Sequence, residues 1–354
     1  MVDPGRASSP VRTDVVAFSR RCAGRTVLAV LSEGACDFMK KFLRSCAVLA
    51  ASVLLVTTAT PAGAIVGGAP DNGEHPYVGQ LLFYVPDAID PRFDDPGAWF
   101  NCTGTLIDAD TVVTAGHCTF AVGVEGEVPD NPLFGGTDVW FSVSEAPDYS
   151  VLPASSTFVP DRNEQRYETW SALLDASDEW SEAESTFTHP EYVDAAFLLH
   201  DLGVVELSEP IELDEYGSLP TPDYLDQYAG KAKQRALFES VGYGLEDSGP
   251  KFSLGGDTRR KADRRLISFR GAYGLRDIAV MFSHAQGGST TGGTCFGDSG
   301  GPTFDITSPA IAEQNIIVAV TSFGLNYNCN ASGSYRIDQP EDLVFLADPA
   351  GAYN

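Results

Sequence analysis

Three side chains in this sequence have types that together could make a nucleophile. Ser299 sits in the glycine-rich run Thr294-Cys-Phe-Gly-Asp-Ser-Gly-Gly-Pro302. His117 stands beside a cysteine in Thr114-Ala-Gly-His-Cys118, and Asp201 opens an apolar run, His200-Asp-Leu-Gly-Val-Val-Glu-Leu207. A serine hydroxyl attacks a carbonyl carbon at neutral pH only if a neighbouring imidazole takes its proton. The imidazole serves in one tautomer, which a buried carboxylate can hold while steadying the imidazolium. Taken singly, each residue also has an ordinary explanation: a core histidine, a capping or surface aspartate, a serine in a turn. The three lie far apart in the chain, so only folding can unite them.

The elements that must position them are short. Apolar stretches run over Tyr77–Tyr84, Thr103–Thr114, Leu198–Leu207, Arg235–Tyr243, Ile278–Phe282 and Ile316–Phe323, punctuated by glycine, proline and aspartate. This pattern predicts an all-β protein rather than alternating βαβ units. From residue 65 onward there is enough chain for a well-buried core.

Ile65-Val-Gly-Gly68 adds a fourth segment. With the four in this order, the chain from Ile65 to about Leu346 resembles the chymotrypsin/trypsin family of serine peptidases. The resemblance implies two six-stranded antiparallel β-barrels, about 65–210 and 211–340, with the site between them. A short terminal helix over Asp338–Ala347 is expected to pack on the second barrel. His117 takes the role of base, Asp201 of the acid that orients it, and Ser299 of nucleophile. The backbone N–H groups of Gly297 and Ser299 map to the oxyanion hole, which stabilises charge on the former carbonyl oxygen. A free α-amino group on Ile65 is expected to pair with Asp298 and order the oxyanion loop. His189-Pro-Glu-Tyr192 resembles the family's approach to the aspartate strand. His75, His189 and His200 read as structural, and His284 has no assigned role.

The resemblance also points to a specificity pocket. The acid found six residues before the serine in trypsin-type pockets is replaced by Gly293, which disfavours Lys or Arg before the cut. Gly324 and Gly333 match the pocket walls and leave room for an apolar or aromatic side chain, which Leu325 could narrow. Ser322-Phe323-Gly324 resembles the strand that pairs with substrate backbone, with Phe323 in place of the family's usual tryptophan.

The first 64 residues read as apart from this fold. Met39-Lys-Lys-Phe-Leu-Arg44 is a basic start, Cys46–Val56 an apolar run, and Ala62-Gly-Ala64 a small-residue cleavage site, the pattern of a secretory signal over 39–64. The run is too short for a transmembrane helix. Residues 1–38 read as an upstream extension, with Met39 as a natural start. Cleavage after Ala64 would expose Ile65 directly. Of seven cysteines, Cys22, Cys36 and Cys46 leave with this segment. Four remain, an even number suited to an oxidising compartment and allowing three pairings. No Cys-x-x-Cys spacing favours zinc. The family resemblance selects Cys102–Cys118 and Cys295–Cys329.

The whole chain carries a formal charge of −26. Residues 1–64 hold 8 Lys/Arg and 4 Asp/Glu, which leaves 15 against 45 and a charge of −30 from residue 65 onward. Such acidity argues against nucleic acid as a partner. It is concentrated in residues 119–200, with 16 Asp/Glu and 2 Lys/Arg. That stretch is longer than in compact family members and reads either as a border of the substrate cleft or as a surface insertion. The basic cluster Arg259–Arg265 is expected to flank a strand of the second barrel. The combined expectation is a secreted, monomeric serine endopeptidase acting on proteins or peptides, without metal or organic cofactor. The alternative is a binding protein that keeps the fold with little or no activity.

Overall fold

The short apolar runs become sixteen strands in a computed structural model, which describes residues 65–353 except 197–198, 232–234, 250–251, 269–277, 285–291, 326–328 and 330. The expectations for residues 1–38 and 39–64 lie outside the described residues. The first group of strands comprises β1 (Ala69–Pro70), β2 (Val78–Val85), β3 (Ala98–Leu106), β4 (Thr111–Thr114), β5 (Val139–Ser142), β6 (Ser181–Thr188) and β7 (Gly203–Leu207). Six of them close a barrel in the order β2-β3-β4-β7-β6-β5, every pair antiparallel.

Successive residues of a strand point to opposite faces. Leu81 and Phe83 of β2 therefore enter the main core with Val139 and Phe141 of β5, while Leu82 and Trp140 join a second apolar cluster. Helix α1 (Asn163–Asp175) covers that second face with Tyr167 and Leu174, spaced two turns apart. This explains why β2 is buried over nearly its whole length. The Asp95 carboxylate accepts the N–H groups of Asn163 and Glu164 and so caps the helix from outside its own sequence. The acidic stretch 119–200 thus supplies two barrel strands and a helix packed on the barrel wall.

The second group comprises β8 (Phe238–Gly242), β9 (Leu245–Gly249), β10 (Phe252–Gly255), β11 (Arg260–Arg264), β12 (Leu266–Ser268), β13 (Ala279–Phe282), β14 (Pro302–Asp305), β15 (Ile317–Gly324) and β16 (Ser332–Arg336). β9 and β10 form a separate hairpin. The others, with β1 on the edge, make a curled sheet in the order β1-β11-β8-β14-β15-β16-β13-β12. Among the described residues the second half of the fold is a curled half-barrel, which with the closed first barrel and the short terminal helix fits the expected chymotrypsin-like fold. The basic cluster forms β11 itself rather than its flank, with Arg259 and Arg264 fully buried.

One apolar cluster runs from Tyr77 and Val113 of the barrel region through Val241, Val320 and Tyr335 of the second sheet to Phe345 and Leu346. The last two belong to helix α3 (Pro340–Ala347), which follows the single turn α2 (Pro309–Ala312). Helix α3 contacts both halves. Its Asp342 accepts a hydrogen bond from Tyr335 at 3.1 Å, and its Phe345 meets the His189 ring edge-on at 5.1 Å.

Phe141 is fully buried and packs against Gly79, where any Cβ would overlap its ring. Phe141→Ala is expected to cost about 3–5 kcal/mol by urea denaturation, because the glycine backbone beneath it cannot fill the cavity.

Candidate active site

The barrel ladder brings His117 and Asp201 together. Thr114 at the end of β4 pairs with Gly203 at the start of β7. The turn Gly116–Cys118 and the residue pair Asp201–Leu202 therefore meet just beyond the paired ends. Gly116 is needed there, since a Cβ would press on the Leu202 backbone at 3.0 Å. The fully buried Asp201 carboxylate accepts the backbone N–H of His117 at 2.9 Å. His117 Nδ1 lies 3.0 Å from Oδ2 and 3.1 Å from Oδ1. A carboxylate only accepts, so Nδ1 carries the proton and Nε2 is left as the basic nitrogen. Ser322 of β15 donates a third bond to Oδ2 at 2.5 Å. Burial disfavours the charged imidazole, but the charges of Asp201 and then Asp194 outweigh it and hold His117 above the ordinary histidine value.

The loop carrying Ser299 is bolted to both sheets. Thr103 N–H of β3 donates to the Ser299 carbonyl at 2.8 Å, and Gly300 N–H donates to Thr321 of β15 at 2.8 Å. Ser299 is half-buried on a cavity of about 420 Å³ that Ser322 also lines. Gly297 takes φ +96°, a conformation glycine adopts without strain, and its carbonyl accepts Thr103 Oγ1 at 2.9 Å. Asp298 N–H is used by Cys295 and Gly300 N–H by Thr321. Among the described residues, the N–H groups of Gly297 and Ser299 have no protein acceptor.

Asp298 is fully buried on the far side of this loop. Its carboxylate accepts Gly244 N–H at 2.8 Å and Cys295 N–H at 2.7 Å. Burial pushes it up to about 7, against those two bonds and the charge of Arg264. Val66 exchanges both backbone hydrogen bonds with Gly293 at 3.0 and 3.1 Å, two residues before Cys295, and Ile65 is fully buried. The Ile65-Val66 segment thus runs beside the strand end from which Asp298 is held.

Cys102–Cys118 ties the histidine turn to β3, and Cys295–Cys329 ties the serine loop to the segment before β16. The bridges match the pairing implied by the resemblance. A trypsin family model matches residues 163–344. The chain belongs to the trypsin family. The solved structure titled "HL collagenase" superposes with a TM-score of 0.51 at 16% identity, covering 80% of this chain and 99% of that one, and shares its fold. No curated protein sequence matches the chain.

The trypsin-family resemblance left the pocket least determined. Ser322, Phe323 and Gly324 line the cavity with Ser299, and so does Leu325. Gly293 and Gly333 lie behind the lining: a Cβ on Gly293 would overlap the His284 imidazole, and one on Gly333 would overlap the Phe323 ring. The Cys295–Cys329 bridge completes the lining among the described residues with Thr294, Phe296, Thr321 and Ser332, which were not singled out from sequence. Thr294 and Ser332 each adjoin a residue that was, Gly293 and Gly333, and the alternation along the backbone explains the substitution of neighbour for neighbour. None of the described residues of 119–200 lines this cavity.

Asp201 is the main opponent of burial at His117. Asp201→Asn is therefore expected to drop the His117 pKa below its value in the parent, read by imidazole NMR titration in a Ser299→Ala background.

Proposed function

We propose that this trypsin-family protein is a secreted serine endopeptidase that cleaves protein or peptide substrates through an acyl-enzyme. The observation that carries the reading is the buried Asp201 carboxylate gripping His117 through both its backbone and its ring. In this reading His117 Nε2 removes the Ser299 proton during attack and returns it to the leaving amine. The N–H groups of Gly297 and Ser299 receive the developing oxyanion. Neither donor has to break a bond first, which is what preorganised stabilisation requires. The chain is expected to work as a monomer, with no metal or organic cofactor taking part in these steps. The two disulfides and the apolar run before Ala64 support export.

Activation follows from Asp298. A free amine on Ile65, released by cleavage after Ala64, would supply the cation that this buried carboxylate lacks while the chain continues upstream. The ion pair would hold the turn that presents Gly297. No carboxylate lines the cavity among the described residues, which disfavours Lys or Arg before the cut. The walls by themselves, formed by Phe296, Phe323 and Leu325, suit an apolar or aromatic side chain.

Secreted protein starting at Ile65 is expected to react with a fluorophosphonate at Ser299. Ser299→Ala should abolish labelling and lower kcat by at least about 10⁴-fold. The acid limb of kcat/KM should have its midpoint above 6.5, the ordinary histidine value. Absence of labelling in correctly processed protein would favour a binding protein of the same fold.

The activation step predicts opposite pH trends. With the chain uncut, Asp298 binds its proton more tightly folded than unfolded, so stability falls as pH rises from about 4 toward about 7. With an Ile65 ammonium beside it, the carboxylate is favoured and that loss is removed. Thermal melts in a Ser299→Ala background should show the gap between the cut and uncut forms widening over this range.

A further inference from the structure

The cavity beside Ser299 has apolar walls but a polar floor, and a charge stands behind the floor. Thr294 Oγ1 and Ser332 Oγ both belong to the lining and lie 2.6 Å apart. Behind them the guanidinium of Arg264 donates to Ser332 Oγ at 3.4 Å and to Thr294 Oγ1 at 3.5 Å. It also donates to Ser240 Oγ at 3.2 Å, to the Ser283 carbonyl at 3.2 Å and to His284 Nε2 at 3.0 Å. All five acceptors are neutral, and Arg264 is fully buried. Among the described residues no carboxylate forms an ion pair with it, and Asp298 acts on it only through space. Burial lowers the guanidinium to about 9, so it remains a cation at neutral pH.

His284 does not cancel this charge. Its Nδ1 lies 3.0 Å from the Cys329 carbonyl, which can only accept, so Nδ1 carries the proton. Nε2 is then an acceptor, used by Arg264, by the Ser332 N–H at 2.8 Å and by the Ser332 hydroxyl at 2.7 Å. Burial and then the Arg264 charge push His284 down to about 4, which leaves the ring neutral at pH 7.

We propose that this cavity receives an acidic side chain, glutamate in preference to an aromatic residue, immediately before the scissile bond. The carboxylate would sit on the Thr294 and Ser332 hydroxyls with Arg264 behind them as counter-charge. The inference rests on the endopeptidase reading of Ser299 and moves the specificity from the walls of the cavity to its floor.

Four physical points support it. A buried cation hydrogen-bonded only to neutral groups gains most from an incoming anion, because its desolvation has already been suffered. The two hydroxyls can turn to donate into the cavity, since Arg264 N–H groups occupy their lone pairs from behind. His284 Nε2 keeps two N–H donors when the Ser332 hydroxyl leaves it, so nothing is orphaned. Asp298, the other carboxylate acting on Arg264, is claimed by the Ile65 ammonium in the active form. An aromatic ring in the cavity would instead cover the hydroxyls and the cation without pairing them. A glutamate keeps its methylenes against Phe323 and Leu325 and brings only its end to the floor. Lysine is repelled by the same charge.

The test uses secreted protein and four peptides that differ only before the cut, with Glu, Gln, Phe or Lys. Fluorophosphonate labelling first counts competent Ser299. In an unlabelled portion of a preparation whose Ser299 proves competent, kcat/KM for Glu is expected to exceed that for its isostere Gln by at least about 10-fold, and to exceed Phe. Arg264→Met should bring the Glu-to-Gln ratio toward one. A purely structural Arg264 would lower both substrates alike and leave the ratio unchanged. Should Arg264→Met fail to fold, Thr294→Val and Ser332→Ala, which keep the cation, are each expected to shrink the ratio several-fold. A preparation that labels but whose unlabelled enzyme prefers Phe, or shows a Glu-to-Gln ratio near one, overturns the acidic pocket while leaving the endopeptidase intact. No labelling of protein starting at Ile65 overturns both.

Discussion

The loop that carries Ser299 belongs to neither sheet alone. Its Ser299 carbonyl is held by Thr103 of the barrel, and the next N–H, from Gly300, is held by Thr321 of the second sheet. Thr103 acts twice, since its hydroxyl also fixes the Gly297 carbonyl. Both halves must therefore be folded and docked before the serine and its backbone donors take their positions. The continuous apolar cluster across the seam supplies the attraction for that docking, and these hydrogen bonds supply the register.

Buried charge is handled differently at each place where it occurs. Asp201 is held by three donors, the His117 N–H, the His117 ring and the Ser322 hydroxyl, and so can orient an imidazole. Arg259 bridges the halves as a matched cation, bonded to Asp71 at 2.9 Å and to the Val78 and Val143 carbonyls of the barrel region. Asp298 has two N–H donors and, among the described residues, no contacting cation, and burial pushes it up. Arg264 has only neutral partners among the described residues. The first two are complete. The last two are incomplete, and a charge that the fold leaves unmatched is where a new terminus or a substrate can contribute binding energy.

The acidity of residues 119–200 has a structural counterpart. The stretch spends its apolar residues on two barrel strands and on the face of α1 that covers Leu82 and Trp140, and it leaves most of its carboxylates outward. Arg166, one of its two cations, is buried against the Phe93 ring at 4.3 Å rather than spent on the surface. The negative charge thus lies on a wall of the barrel, away from the cavity lining.

Much of this protein was legible in its residues. His117, Asp201 and Ser299 stand in short motifs that resemble one family, and it was that resemblance, not the residues singly, that proposed their roles and chose one of three cysteine pairings; the fold brings His117 against Asp201 and forms both bridges. The all-β class was legible too, because its apolar runs are short and punctuated by glycine, proline and aspartate. The helix α1 was not: it turns few apolar side chains to the core, Tyr167 and Leu174, and its cap, Asp95, comes from a distant loop. The pocket was legible only in part. Gly293 and Gly333 back the cavity instead of lining it, because whether a residue faces a cavity depends on strand twist and on what fills the space beside it. His284 and Arg264 reach the floor from β13's end and β11, and no spacing in the chain joins them to Thr294 and Ser332. Sequence determined which groups could react; only the tertiary structure decided which of them share buried space, because a charge acquires its meaning from the neighbours that folding strips of water.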